Sequence, residues 1–249
     1  MVGGGYNVEP AVSPAGDIIV AGDAIRSYSP SGSLLWEFDA PDSEFPPGTQ
    51  QFFTPAISTD NHVYVGQFGA DRRPERLFSL DPQGNLEWSF DSAGGSPAIG
   101  PDGTIYAGHH SRLYALNPDG TVRWSFDHGP RGDPSVSGEA PTIDVAGNIY
   151  LTNAAGILYS LTSDGEIRWT YDLAPSFGGD IFPSMPVIDT DGRLYVGTGY
   201  LQTMVALVPE PATVFVVLPV LACVTRRRLR GWYQKRHLGI GRGVRGGGM

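Results

Sequence analysis

The 249-residue chain holds 26 Asp+Glu against 17 Lys+Arg, a net charge of −9. The charge is divided along the chain: every acid lies at or before Glu210 and eight basic residues lie at or after Arg226, so residues 1–225 carry −17 and the remainder +8. An acidic body excludes a nucleic-acid-binding module, which needs Lys and Arg against phosphate. The lone Cys223 excludes a disulfide framework and a cysteine-based metal site.

Residues 1–9, through Gly3-Gly4-Gly5-Tyr6-Asn7-Val8-Glu9, read as a linker between repeats, of the kind seen again at Ala93-Gly94-Gly95-Ser96. No basic segment followed by an apolar run precedes them, so no signal peptide is visible, and the expectation is either a natural start further upstream or a fragment of a longer chain.

From residue 10 to 207 the chain repeats. A leading proline recurs at Pro10, Pro55, Pro97, Pro141 and Pro186, at spacings of 45, 42, 44 and 45. A tryptophan recurs at Trp36, Trp88, Trp124 and Trp169. The units run 10–39, 55–91, 97–127, 141–172 and 186–207, the last stopping before its tryptophan segment. Each reads as four short strands. The last strand alternates: Leu34, Trp36 and Phe38 against Leu35, Glu37 and Asp39, with the same pattern at 86–91, 122–127 and 167–172. Period two places the apolar set on one face. Asp-Gly steps at 102–103, 119–120, 164–165 and 191–192 supply the tight turns. Four strands in each of several such units, with a tryptophan signature, predict an all-β chain folded as a β-propeller.

The unit wording from Tyr114 to Asp127, Y-A-L-N-P-D-G-x-x-x-W-x-F-D, resembles the PQQ-like repeat of bacterial propellers. The resemblance implies that the four tryptophans are blade-docking residues, and that no quinone or other cofactor is bound. An adjacent cysteine pair, which accompanies quinone in the related dehydrogenases, cannot be made with Cys223 alone.

Strand order predicts that the connections between blades and those from second to third strand leave on one side. That side carries the long segments 40–54, 67–75, 128–140 and 173–185, and variable loops on a rigid scaffold are where function sits. Candidate ligand-facing residues there are Phe45, Phe52, Phe68, Arg72, Arg73, Arg131, Asp133, Phe177 and Asp180. Aromatic rings with charged groups suit a surface protein or a polysaccharide. The alternative is that the phenylalanines plug the ring mouth and the charges are solvated. Other motifs carry less. His109 and His110 adjoin on a strand end, so their side chains diverge. Asp189-Thr190-Asp191-Gly192 begins like a calcium loop but lacks the later ligands. Arg131-Gly132-Asp133 is a tripeptide that recurs by chance. No catalytic constellation stands out, so the expectation is not an enzyme.

The tail is ordered in three parts: Val208-Pro209-Glu210-Pro211, the apolar run Ala212 to Val224, and Arg226-Arg227-Arg228 with Arg230. This layout, 208–230, resembles a PEP-CTERM sorting signal, which implies processing by an exosortase-type membrane enzyme and transient membrane association. The run is expected to form a short apolar helix, and at 13 residues it is short for a span, which needs roughly 20 apolar residues. The arginines would keep the tail's end on the cytoplasmic side. Residues 231–249 read as a basic, disordered end. The expected function is an exported, non-catalytic propeller that binds protein or polysaccharide at the cell surface. The alternatives are a quinoprotein dehydrogenase fragment and an envelope-assembly scaffold resembling the outer-membrane assembly lipoprotein.

Overall fold

A computed structural model describes residues 9–41, 51–67, 75–109, 111–129, 140–153, 155–174, 184–197 and 204–207. Blade one consists of β1 (Ala11–Val12), β2 (Ile18–Ala21), β3 (Ile25–Tyr28) and β4 (Leu34–Phe38). Blade two has β5 (Ala56–Ile57), β6 (Val63–Gln67), β7 (Arg76–Leu80) and β8 (Leu86–Phe90). Blade three has β9 (Ala98–Ile99), β10 (Ile105–His109), β11 (Arg112–Leu116) and β12 (Val122–Asp127). Blade four has β13 (Thr142–Ile143), β14 (Ile149–Thr152), β15 (Ile157–Leu161) and β16 (Ile167–Asp172). Blade five has β17 (Val187–Ile188), β18 (Leu194–Gly197) and β19 (Met204–Leu207). Each blade is an antiparallel meander in chain order, so the chain is all-β and built of propeller blades as its repeats predict. The expected C-terminal apolar helix lies outside the described residues.

Local chemistry accounts for each meander. The turn from first to second strand ends in a left-handed residue at Gly16, Asn61, Gly103, Gly147 and Gly192. Asn61, at φ 68°, is the non-glycine exception, and asparagine tolerates that region. The turn from third to fourth strand uses Gly32, Gly84, Gly120 and Gly165, with φ between 82° and 85°. A register shift falls at the same place in all four complete blades, before Tyr28, Leu80, Leu116 and Leu161.

Packing runs from blade to blade. In blades two to four the second strand is buried on both faces, one toward each neighbour. Tyr64, Tyr106 and Tyr150 face the following blade; Val63 with Val65, Ile105 with Ala107, and Leu194 with Val196 face the preceding one. Four apolar clusters result, each joining two successive blades. Aromatic pairs cross the same seams edge-on: Phe38 on Phe78 at 5.7 Å, Phe90 on Tyr114 at 5.1 Å and Phe126 on Tyr159 at 5.4 Å.

The tryptophans complete the seams. The Trp36 indole N–H donates to the Pro82 carbonyl at 3.1 Å, Trp88 to Pro118 at 2.8 Å and Trp124 to Ser163 at 2.9 Å. Each indole thus lies on the third turn of the next blade. The rings sit so close that a Cβ at Gly84, Gly120 or Gly165 would fall 2.5, 2.8 or 2.7 Å from them. Glycine is required there twice over, for its φ and for its missing side chain. Blade one shows the contrast. Nothing lies within 4 Å of a Cβ at Gly32, and Val20 is 40% exposed where Val65, Ala107 and Val196 are 0%.

The first apolar residue of each fourth strand, Leu34, Leu86, Val122 and Ile167, shares the face of the tryptophan by period two and is exposed. It stands at the outer edge of its blade, and the docked face begins at the tryptophan.

Two outcomes are expected from chemical denaturation. Trp124→Ala should destabilise by about 3 kcal/mol, the low end for deleting a large aromatic because the indole is partly exposed. Gly165→Ala should cost about 2–4 kcal/mol, combining a left-handed alanine with a clash against Trp124, whereas Gly32→Ala should cost only about 1 kcal/mol of backbone strain. Equal effects at the two glycines would show that the indole seat is not the constraint.

Candidate binding face

The two ends of the blades differ in construction. At one end the second strand closes into the third, and the fourth strand leaves for the next blade. Ion pairs stand there: Arg26 with Asp23 at 2.8 Å and Glu37 at 2.7 Å, Arg76 with Asp91 at 2.8 Å, and Arg112 with Asp127 at 3.7 Å. The Arg26 hydrogen bond holds the Asp23 carboxyl below its ordinary value. These pairs are partly exposed and contribute little stability; they set a mixed-charge rim.

Beneath the rim, the entering linkers are latched to the second strands. Phe53 N–H donates to Gly66 O at 2.8 Å, Gly95 to Gly108 at 3.2 Å and Ser184 to Gly197 at 2.8 Å. The linker of blade three passes so close that a Cβ on Gly66 would overlap the carbonyls of Gly94 and Gly95. Polar side chains buried at this level among the described residues include Gln67, Glu75, His128, Thr152 and Asn153. Asn153 joins two blades. Its amide donates to the His128 carbonyl at 2.7 Å, and its oxygen accepts the Ile157 N–H at 2.9 Å. The Tyr159 hydroxyl lies 3.3 Å from the same amide. Sequence reasoning does not find this shelf. Its members sit at irregular spacings and meet only after blades dock.

Of the residues expected to face a ligand, Phe52 is described, and it is corrected. It is buried, edge-on to Phe78 at 6.3 Å, with its backbone bridged to Gln67. It packs the first seam and offers no ring to solvent. Phe45, Phe68, Arg72, Arg73, Arg131, Asp133, Phe177 and Asp180 lie outside the described residues, as do His110 and Val208 to Arg230. Trp36, Trp88 and Trp124 are blade-docking residues, as their hydrogen bonds show. Trp169 packs into the seam between blades four and five, 6.1 Å from Tyr150.

The opposite end carries the tight turns. A groove of about 370 Å³ opens there between blades four and five, lined by Asp144, Asn148, Tyr150, Arg168, Asp189 and Thr190 among others. Its carboxylates are occupied by structure. Asp144 accepts from Ala146 N–H, Asn148 N–H, the Asn148 amide and the Tyr150 hydroxyl. Asp189 accepts from Asp191 N–H, Arg193 N–H and the Tyr195 hydroxyl. The segment that begins like a calcium loop is therefore a hydrogen-bonded turn cap. Burial works to raise the Asp144 carboxyl, but the donors around it outweigh burial and hold it below its ordinary value. Burial and the facing Asp144 push the Tyr150 hydroxyl up to about 12. Among the described residues, no group of three His, Cys, Asp or Glu is placed to hold a metal ion. The long-connection end, with its latched shelf and variable loops, is the better candidate for binding.

Comparison with known proteins follows the geometry. The sequence profile of the family described as Outer membrane protein assembly factor BamB matches residues 21–210. No curated protein matches the sequence. Among solved structures, BamB from Moraxella catarrhalis is similar at 16% identity and a TM-score of 0.61, over 81% of this chain and 60% of that one. A protein of unknown function from Bacteroides caccae is similar at 15% identity and a TM-score of 0.55, covering 84% and 80% of the two chains. A gluconolactonase from Xanthomonas campestris is similar at 15% identity and a TM-score of 0.50, covering 76% and 68%. These likenesses show the fold.

The Asp144 cap generates a pH prediction. Its carboxyl titrates lower folded than unfolded, so its contribution is present at neutral pH and is lost as pH falls below 3.8. Asp144→Asn should lose about 1–3 kcal/mol at pH 7 and flatten the acid limb of stability against pH. Tyr150 has the opposite sign: its contribution is present below pH 10 and lost as pH rises toward 12. Tyr150→Phe should flatten that alkaline limb. Thermal melts across pH 2–12 check both, and unchanged limbs would remove these two groups as the cause.

Proposed function

The chain belongs to the family of the outer membrane protein assembly factor BamB, and from that premise we propose that it is a non-catalytic binding scaffold of the bacterial envelope, taking a protein segment or polysaccharide on its long-connection face. The carrying observation is the family match across residues 21–210. It agrees with the construction of the blades, in which buried seams and linker latches make a stiff platform beneath loops free to vary. Phe45, Phe68, Arg72, Arg73, Arg131, Asp133, Phe177 and Asp180 are the proposed contact residues, aromatic and charged groups of the kind that hold an extended polymer. No quinone is assigned to the site.

Export is part of the proposal. The family points to the envelope, and the Pro-Glu-Pro motif, the apolar run and the arginine cluster Arg226-Arg227-Arg228 support sorting by an exosortase-type enzyme after transient membrane insertion. The body that remained would carry its strong negative charge to the cell surface, where it would resist non-specific association with anionic polymers.

Equilibrium titration of the purified full chain tests the binding reading. The probes are an unfolded outer-membrane β-barrel protein held in dilute urea and an anionic exopolysaccharide. Saturable binding to one probe is expected, weakened about tenfold, or about 1.4 kcal/mol, when Arg72, Arg73 and Arg131 are all changed to Ala. Turnover of a gluconolactone above the uncatalysed rate would overturn the non-catalytic reading. Binding that is indifferent to the three arginines would move the site away from this face.

A further inference from the structure

Blade one carries the same indole seat as the later blades, and among the described residues nothing fills it. In the three filled seats the tryptophan of the blade before donates to the carbonyl two residues past the third strand, at Pro82, Pro118 and Ser163. Its ring lies over Gly84, Gly120 or Gly165. The matching residues of blade one are Pro30 and Gly32. Their turn is built in the same way. Ser29 N–H donates to Ser33 O and Gly32 N–H to Ser29 O, both at 2.8 Å, the two bonds that Asp81 and Gly84, Asn117 and Gly120, and Thr162 and Gly165 make in theirs. Gly32 has φ 85° and nothing within 4 Å of a Cβ.

The face beneath the seat is open as well. In blade two, Ile57, Val63, Val65 and Leu80 meet the blade before. The strand registers place Val12, Ile18, Val20 and Tyr28 at those positions in blade one. Val63, Val65 and Leu80 are at most 1% exposed, whereas Val12 is 66% and Val20 40% exposed. One position changes its chemistry. Arg26 stands where Phe78, Tyr114 and Tyr159 take the aromatic of the blade before edge-on. Asp23 and Glu37 bond the edge of its guanidinium at 2.8 and 2.7 Å. A planar guanidinium with its edge donors engaged has its face left to offer, and that face receives an aromatic ring.

We propose that this face docks an extended segment of another protein, its tryptophan on Pro30 and Gly32 and a second aromatic, two residues on, against Arg26. The seams name the occupant. The face continues the row of blade interfaces, with the same acceptor carbonyl, the same left-handed glycine and an apolar second strand. What fills the other seats is a strand that reads Trp-x-Phe, as Trp36 with Phe38, Trp88 with Phe90 and Trp124 with Phe126. Two carboxylates around one guanidinium leave the rim negative, which favours Lys or Arg beside the tryptophan. A second copy of this chain is the poorer occupant, because those three indoles and Trp169 are committed to their own seams. The seat is at the tight-turn end, so the docking does not rest on the proposed long-connection site.

Backbone amide NMR of the purified full chain tests it, with the peptide of residues 121–127, Thr-Val-Arg-Trp-Ser-Phe-Asp, as the probe. Saturable shifts are expected at Val20, Ser31 and Gly32, with Gly84, Gly120 and Gly165 unmoved because their seats are full. The same peptide with an N-methylated indole should bind about tenfold more weakly, since it cannot donate to Pro30 and leaves that carbonyl unmet. Gly32→Ala puts a methyl group where the ring lies, and Val20→Asp puts a charge on the apolar face; each should weaken binding about tenfold. Changing Arg72, Arg73 and Arg131 to Ala should leave this binding intact, so that the two sites fail separately. Absence of saturation, or equal binding of the methylated peptide, overturns the docking. A dimer in sedimentation that Val20→Asp dissociates gives the face to a second copy and overturns it too. Saturation that appears only after Trp232→Phe gives the seat to the chain's own tail and overturns a partner from outside.

Discussion

The structure depends on one repeated contact: a tryptophan indole seated on the turn of the next blade, donating its N–H to a turn carbonyl. The contact constrains both partners. The turn must place glycine under the ring, because a side chain would strike it and because the backbone there is left-handed. The fourth strand must keep its tryptophan at a fixed step from the third strand, or the indole would miss the carbonyl. A half-buried aromatic with a satisfied polar tip is a strong and directional joint. Repeated along the chain, it fixes each blade's angle to its neighbour through contacts between neighbouring blades alone.

The second strands follow from that joint. Once a blade is clamped on both sides, its second strand has no solvent face, and the chain meets this with near-continuous apolar runs such as Val63-Tyr64-Val65 and Ile149-Tyr150-Leu151. In blades two, three and four a tyrosine answers the tryptophan of the same blade, ring against ring at about 6 Å. Tyr150 also carries a hydroxyl, which finds Asp144 and pins the neighbouring turn. Apolar packing and turn capping are therefore coupled, with Asp144 holding both the turn backbone and the tyrosine hydroxyl.

At the other end, the polar groups serve the joints between blades. Asn153 and the linker latches stitch each entering segment to a strand that is already clamped. The result is a stiff shelf under segments of no fixed length. Under the proposed function, the residues joined to this shelf could differ in sequence without disturbing the seams.

The strands, their turns and the docking role of Trp36, Trp88 and Trp124 are legible in the sequence, because each rests on a local rule. Period-two alternation marks strands, Asp-Gly marks turns, and a residue recurring once per unit marks a joint between units. The acidic body and the basic tail are equally plain. Tertiary structure decided the rest. Phe52 reads as a loop aromatic and is a core residue, because the seam it fills belongs to blades one and two together. Leu34, Leu86, Val122 and Ile167 read as one face with the tryptophans and yet are exposed, because alternation reports a face but not which blade covers it. Gln67, Glu75 and Asn153 show no pattern at all, since Gly94 of the next linker crosses the first two and the His128 carbonyl of another linker meets the third. A one-dimensional pattern records which residues can be inside; which of them are inside is set by what the neighbouring blade brings to the seam.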